Sequence, residues 1–537
     1  MTMELLLFDI SFHEDQPVSL TAVSFVVAAM IVYLTDPFAM PKRVRQENRL
    51  QHSPQRIVVE QLARLPIIMF VYSIFFAISW RPFYSGLGTV SFFVIFTGIS
   101  RAKYIFIREP LVFSDIALVV DVFKYKSIFY ATNFNVLFWI MALSYVFGVS
   151  ALFMIAEPSI IPSHHTWLWI LVGVLVPSLC ILMLFVKPIG HVAALVAQWL
   201  LRTLNVKSNT TRFGTFTSVS YHFMMWLGMR REAIIEELAK GLQSVIHDFL
   251  GEPSRESPLV IFWQSESFMD LRNIGCDDLK LPTIDVLKER AAQWGRLISV
   301  FEGGYTLRTE FAVLSGLQPD DVHADASYPY LRASHYADIV WPNKLRKVGW
   351  YTHFIHPYDR TFFLRHKAMP IFGFGEMTML DDFDHVPARD GAYVSDMRLT
   401  EKVLEIAEGL EKRQSALLFV ASMANHGPWE AGRVEGMNDP IEIYKELLRK
   451  ADDALARLVA ELDKYDRPVW LAFYGDHAPL LKEYADPFPD PRTDYFIVPL
   501  ARAKESKHVA TASRIEAPWT LFETLLWHAH LYKERFK

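Results

Sequence analysis

The chain has 537 residues, of which 52% are apolar and 14% aromatic, against only 21% charged. That balance excludes a disordered chain, and its uneven spread argues against a purely soluble one. A formal net charge of -5 offers no global basic field for nucleic acid, and two cysteines, Cys180 and Cys276, exclude a disulfide-stapled fold and a multi-cysteine zinc or iron–sulfur site.

A bilayer core takes roughly 20 apolar residues per helical span. Five stretches meet or approach this: Gln16 to Thr35, Leu65 to Trp80, Pro82 to Ser100, Ser127 to Ala156 and Thr166 to Val186. Arg64 and Arg81 flank the second and can snorkel. The first sixteen residues lack Lys and Arg and no small-residue cleavage site follows, so the first span is expected to stay as an anchor. Between spans, Arg108 to Asp115 mixes charge, Pro and an apolar run; it reads as an interfacial or re-entrant helix, or equally as an amphipathic connector. His191 to Leu204 and Phe213 to Met229 look amphipathic, as interfacial linker helices or ordinary domain helices would. These features divide the chain into a transmembrane domain (1–190), an interfacial linker (191–252) and a globular domain (253–537).

From Pro258 onward short apolar runs alternate with helical periodicity. Leu259 to Trp263, Ser415 to Ala421, Val469 to Tyr474 and Tyr495 to Val498 read as buried strands, and Met397 to Glu411 and Ile441 to Leu462 as helices. Strands alternating with helices imply a mostly parallel sheet covered on both faces. In such sheets ligands lie beyond the carboxyl ends of strands. The residues just past those ends are Gln264-Ser-Glu266, Met423-Ala-Asn-His426 and Gly475-Asp-His477.

Glu266, Asp476 and His477 form an O,O,N set suited to one divalent cation, Mn, Mg or Zn. Each also has a plain alternative, as a turn or helix cap. In Glu302-Gly-Gly-Tyr-Thr306-Leu-Arg-Thr-Glu-Phe311 two glycines permit a tight turn before a helix. Thr306 is either the cap of that helix or a nucleophile, since a hydroxyl near a divalent cation loses its proton more readily and helix-start amides favour phosphate.

Together these residues resemble the lipoteichoic acid synthase family of phosphoglycerol transferases, within the sulfatase-like, alkaline phosphatase superfamily. The matching segments are Glu266-Ser267 after the first strand, Gly304-Tyr-Thr306-Leu-Arg-Thr-Glu310-Phe311, His356 with Arg365 nine residues on, Asn425-His426-Gly-Pro428-Trp429, and Tyr474-Gly-Asp476-His477. The resemblance implies an N-terminal five-helix transmembrane domain followed by an α/β/α sulfatase-like domain. It implies that Glu266, Thr306, Asp476 and His477 hold one Mn-like ion and that Thr306 attacks the donor phosphorus. Arg365, His356 and Trp429 would bind substrate, and His426 would contact the headgroup or act as acid/base. Two positions depart from the family: Phe363 stands where it has Trp, and Tyr358 where it has Asp, with Asp359 adjacent.

The implied activity is transfer of phosphoglycerol from phosphatidylglycerol to an envelope glycan, such as a periplasmic glucan, by an inner-membrane multi-pass enzyme with a periplasmic catalytic domain. The alternatives are a phosphoethanolamine transferase and a membrane-bound phosphodiesterase or sulfatase-like hydrolase. The first usually carries several disulfides, which Cys276 alone cannot supply, and Thr306-Leu-Arg308 does not fit a true sulfatase's Cys/Ser-x-Pro-x-Arg motif. One conflict stands. Lys42, Arg43, Arg45, Arg49 and Arg56, and then Arg101, Lys103, Arg108, Lys124 and Lys126, are basic loops that the positive-inside rule puts in the cytoplasm, and with five spans the globular domain would join them.

Overall fold

The computed structural model describes residues 16–49, 54–118, 124, 136–238, 257–301, 303–410, 414–481, 489–505 and 513–531. They form two compact units, Met1–Ile116 with Ala131–Met229 and Ala117–Tyr130 with Arg230–Lys537.

The first unit is helical: α1 (Gln16–Thr35), α2 (Lys42–Arg49), α3 (Pro54–Ser79), α4 (Pro82–Ile107), α5 (Val136–Ala156), α6 (Thr166–Leu184), α7 (Lys187–Leu201), α8 (Val206–Phe213) and α9 (Thr215–Gly228). Among the described residues four helices are long and apolar enough to cross a membrane: Val18–Ala39, Pro54–Ser79, Pro82–Ile107 and Thr166–Leu184. The expected fifth span coincides with α5, of which Ile140–Ala156 counts as a shorter apolar helix; residues 125–135 lie outside the described ones. Helix α6 buries no residue and presents apolar side chains all round, the pattern of a helix whose surroundings are lipid. Polar groups turn inward instead. Arg64 pairs with Asp36 at 2.7 Å, Thr97 donates to the other Asp36 oxygen at 3.0 Å, and Arg212 pairs with Glu60 at 2.6 Å, all buried. Gly214, at φ 78°, sits so close that a Cβ there would lie 2.1 Å from Asp36 Oδ2. The segment after α4 is a 3-10 turn over Phe113–Leu118, and Lys103 Nζ ties it down through Glu109 at 3.1 Å and Asp115 at 2.7 Å.

The second unit is built on an eight-stranded sheet: β1 (Leu259–Ser265), β2 (Gln293–Leu297), β3 (Tyr351–Ile355), β4 (Glu376–Thr378), β5 (Ala416–Ala421), β6 (Pro468–Gly475), β7 (Thr493–Ala501) and β8 (Arg514–Glu516), in the order β4-β3-β5-β1-β6-β7-β2-β8. All pairings are parallel except those of β7, which runs against β6 and β2. Every residue of β1 and β5 is buried, which explains their continuous apolar composition. Alternate side chains serve two layers. Leu259, Ile261 and Trp263 join a core under α12 (Asp396–Glu408) and α13 (Pro440–Leu462). Phe262 points the other way, stacked 4.3 Å from Phe522 of α14 (Pro518–His528), which packs beside α11 (Thr306–Ser315). The remaining helix of note, α10 (Pro282–Arg290), lies with the first layer.

The carboxyl ends of β1, β5 and β6 are adjacent, and this places the site. Gln264 lies in register with Ala421 on one side and Tyr474 on the other. Gly475 ends β6 with its α-carbon against the turn after β1: a Cβ would fall 2.0 Å from the Phe268 carbonyl oxygen. Gly475→Ala is therefore expected to push the Ser265–Phe268 turn off β6 and cost about 1–3 kcal/mol. A lower thermal-unfolding midpoint of the purified chain checks this; an unchanged midpoint contradicts the packing constraint.

Candidate active site

Glu266 follows β1 directly, Asp476 and His477 follow β6, and Thr306 opens α11. All four are buried. Ligand atoms of Glu266, Asp476 and His477 lie within 4.8 Å of one another, the only such cluster of three His, Cys, Asp or Glu groups among the described residues. His477 Nε2 stands 3.4 Å from Glu266 Oε1 and 3.5 Å from Asp476 Oδ2. Thr306 Oγ1 donates to Glu266 Oε2 at 3.4 Å. The resemblance-derived ligand set is thus brought together in one place.

The surroundings hold these groups still. Asp476 Oδ1 accepts from the Ser267 and His477 amides at 2.8 and 2.9 Å. The Ser267 hydroxyl donates to Glu266 Oε1 at 2.8 Å, and the Glu266 amide donates to Ser422 Oγ at 3.0 Å. Ser267 pays the conformational cost of this corner, at φ 50°. His477 Nδ1 lies 3.1 Å from the Ala478 carbonyl, which fixes Nδ1 as a donor and turns Nε2, the nitrogen that can exchange its proton for a cation, toward the carboxylates. Asp476 Oδ2 and His477 Nε2 are buried without a hydrogen-bond partner. Two orphaned buried atoms, converging with a second carboxylate, fit a divalent cation.

Electrostatics agree. Burial alone would raise the Glu266 carboxyl, but the adjacent His477 and His426 imidazoles and the Ser267 hydroxyl outweigh it and hold it at about 2. Burial and the Glu266 charge push Asp476 up to about 7. Burial lowers His477, yet the charges of Asp476 and Glu266 carry it up to about 9. Protons therefore occupy the cluster when no cation does.

Other expected residues take different places. Arg365 is fully buried, with Nε and Nη2 on the two oxygens of Glu310 at 3.1 and 2.9 Å and Nη1 3.0 Å from His356 Nε2. Burial and the Arg365 charge hold His356 well below its usual range, so it is neutral; its Nδ1–H donates to the Ala421 carbonyl at 3.0 Å and its Nε2 receives the arginine. His356 orients Arg365. His426 is half-buried, with Nδ1 2.6 Å from the Gly427 carbonyl. Trp429, expected at the substrate, lies under the turn: its indole N–H donates to the Asn425 carbonyl at 3.2 Å and its ring packs on Tyr444. Its amphipathic ring supports the loop that presents His426. Phe363, in place of the family Trp, lies over the Arg365 guanidinium at 5.4 Å. Tyr358 packs edge-on to Phe362 and Tyr393.

Sequence reading passed over several residues. Glu310 is buried and also accepts from Gln264 at 3.1 Å and from the Tyr330 hydroxyl. Its place in the Thr306 segment was visible; its arginine partner, 55 residues away, was not. Ser422, Tyr393 and Arg433 carried no motif. Arg433 lies 4.6 Å over the Tyr393 ring, whose hydroxyl is 3.4 Å from His426 Nδ1.

Residues 258–530 match the family model described as sulfatase. The chain belongs to the sulfatase family. A curated relative, the capsular polysaccharide biosynthesis protein RkpI of Rhizobium meliloti (strain 1021), is 58% identical over 97% of this chain and 96% of that protein. A putative cyclic beta-1,2-glucan modification protein of the same organism is 29% identical over 43% of this chain and 37% of that one. Among solved structures, the chain is similar to a Streptococcus pyogenes phosphoglycerol transferase in complex with sn-glycerol-1-phosphate (TM-score 0.42, 20% identity, 56% of this chain and 84% of that one).

Two outcomes follow from this geometry. Protons and cation compete for the same atoms, so the apparent affinity for Mn should rise as pH increases from about 6.5 to 9, where Asp476 and then His477 lose theirs. Calorimetric titration at several pH values checks this; a flat profile speaks against the cluster as the cation site. Separately, Glu310→Gln leaves Arg365 buried without its countercharge and should cost about 3–5 kcal/mol of stability, read from chemical unfolding of the purified chain.

Proposed function

We propose that this protein is a membrane-anchored, metal-dependent transferase that moves phosphoglycerol from phosphatidylglycerol to an envelope glycan through a phosphothreonine-type intermediate. The observation that carries the reading is the Thr306 hydroxyl, 3.4 Å from Glu266, at the first residue of α11 and beside the Glu266–Asp476–His477 cluster. A divalent cation held by those three residues and Thr306 would supply Lewis-acid stabilisation of phosphoryl charge and favour the Thr306 alkoxide; Mn is our assignment, with Mg and Zn the alternatives.

The chain's own groups account for the rest. Thr306 Oγ forms a bond to the donor phosphorus as the bond to the diacylglycerol oxygen breaks, and the proton lost by Thr306 balances the one gained by diacylglycerol. Amides at the start of α11 face the transferred phosphoryl oxygens. In the second displacement an acceptor hydroxyl forms its bond to phosphorus and Thr306 Oγ leaves. His426, its Nδ1–H directed at the Gly427 carbonyl and its basicity reduced by burial, presents a neutral Nε2 to carry the acceptor's proton toward the departing Thr306 oxygen. Two displacements make the reaction ping-pong. Arg365, held by Glu310 and oriented by the neutral His356, would turn its remaining N–H groups to the phosphoryl oxygens.

Glycerol rather than ethanolamine is supported by Arg433, whose guanidinium lies on Tyr393 next to His426 and would repel an ammonium headgroup. A glycan acceptor is supported by the names of the two Rhizobium meliloti relatives, both concerned with envelope carbohydrates. The apolar helices support a multi-pass anchor in a bacterial inner membrane, with the catalytic unit on the periplasmic side, where a lipid headgroup meets an envelope glycan.

Incubation with headgroup-labelled phosphatidylglycerol or phosphatidylethanolamine tests this. Label from phosphatidylglycerol should appear in a glycan product, and mass spectrometry should find a phosphoglyceryl adduct on Thr306. Thr306→Ala should reduce transfer by roughly a thousandfold or more. Wild-type turnover by that variant, or label transferred only from phosphatidylethanolamine, overturns the assignment.

A further inference from the structure

The chain between His356 and Arg365 is held in an unfavourable shape. It leaves the sheet after β3, runs through residues 357–364 and returns to its start, since Arg365 Nη1 lies 3.0 Å from His356 Nε2. Its last two residues, Phe363 and Leu364, both have left-handed backbones, with φ 55° and 60° and ψ 21° and 22°. Among the described residues no other two adjoining non-glycine residues have positive φ. A residue with a Cβ is disfavoured there, and here the penalty falls on two residues in succession. Strain of this kind persists only where the surroundings over-determine it.

The hub of that restraint is Asp359. Its Oδ1 accepts from the Thr361 amide and from the Thr361 hydroxyl, both at 2.7 Å. Its Oδ2 lies 3.0 Å from Nζ of Lys124, which belongs to the same compact unit and also donates to Thr361 Oγ1 at 2.8 Å. Backbone bonds complete the turn. The Phe362 amide donates to the Asp359 carbonyl at 3.1 Å, the Leu364 amide to the Thr361 carbonyl at 2.9 Å, and the His366 amide to the Arg360 carbonyl at 2.8 Å. The carboxylate is thus turned onto its own loop.

Right-handed backbone at Phe363 and Leu364 would merely extend the helix Arg365–Ile371 backward. The left-handed pair instead folds the Phe363 ring back, buried, to 5.4 Å from the Arg365 guanidinium and 4.0 Å from the Phe362 ring. The same ring lies 6.5 Å from that of Tyr305, the residue before Thr306, and edge-on to Tyr328 at 6.4 Å. One buried side chain, set by the strained turn, therefore touches both the arginine and the segment that presents the threonine.

We propose that Asp359 is a positioning residue: it holds the left-handed Phe363–Leu364 pair, which sets the Phe363 ring against Arg365 and Tyr305 so that Arg365 and Thr306 address one phosphoryl group. This rests on the proposed function only in taking those two residues to meet a phosphoryl group; neither headgroup nor acceptor enters.

The test uses the full chain in detergent, loaded with Mn. Inorganic phosphate is titrated by calorimetry, and hydrogen exchange is followed in the peptide spanning residues 357–366. Asp359→Ala should speed exchange in that peptide and weaken phosphate binding by about tenfold. Leu364→Gly suits the left-handed backbone; added to Asp359→Ala, it should slow exchange again and bring phosphate affinity back to within about threefold of the parent chain. A turn that served stability alone would exchange faster and lower the unfolding midpoint with phosphate affinity unchanged, and that result overturns the proposal. Unaltered exchange in Asp359→Ala, or no rescue by Leu364→Gly, overturns it as well. Arg365→Lys separates the two levels. If it too leaves phosphate affinity unchanged, Arg365 does not face a phosphoryl group and the proposal falls with that reading. If it weakens phosphate binding while Asp359→Ala does not, the reading stands and the positioning role alone falls.

Discussion

Two carboxylates and an imidazole sit within 4.8 Å of one another, almost wholly out of water, and the catalytic unit is arranged around making that tolerable. Charges removed from solvent need partners or must give up ionisation. Glu266 and Asp476 meet because β1 and β6 are neighbouring parallel strands, so residues one step past their ends share an edge. Amides of Ser267 and His477 and the hydroxyls of Ser267 and Thr306 take up part of the negative charge. What they leave is a converging set of lone pairs, with α11 aiming its first hydroxyl at the same point. The helix layers and the full burial of β1 hold the two strand ends in register.

How much of this was legible in the residues depended on range. Strands such as Leu259–Ser265 and Ala416–Ala421 announce themselves because burial on both faces makes them apolar throughout. Strand β2, Gln-Trp-Gly-Arg-Leu, does not, since alternate residues are only partly buried and Arg296 reaches the edge to pair with Asp494 and Asp490. Strands β4 and β8 are three residues each at the two edges of the sheet, and the buried β3 beside β4 breaks its apolar run with Thr352 and His353. The direction of β7 was also hidden, because composition reports burial and not polarity of the chain. At the site, the residues next to strand ends could be read off, while Glu310 could be placed in its segment but not with Arg365. Trp429 is ambiguous in the sequence for a physical reason: an indole has an apolar face and one donor, so it serves equally well beneath a loop as above a ligand.

The helical unit recasts the conflict between charge and orientation. Counting Lys and Arg presumes that each loop charge is solvated and available to the insertion machinery. Here Arg64 and Arg212 are buried against Asp36 and Glu60, Lys103 is held by Glu109 and Asp115, and Arg56 is spread over an indole. Such charges report on the packing of the unit more than on the side of the membrane. The amphipathic linker segments belong to the same picture, since α7, α8 and α9 fold into the helical unit with α3 and α4.

Arg365 illustrates a final consequence. A guanidinium has five N–H donors, and Glu310 and His356 engage three of its N–H directions in a dry setting, with an aromatic ring against its flat face. Two hydrogens remain. The side chain is thus a fixed bracket rather than a swinging arm: whatever it greets must arrive at the correct angle, because leaving Glu310 would strand a bare anion in the protein interior. Selectivity at this position would then be geometric, a tolerance of angle and span written into the scaffold before any ligand comes near.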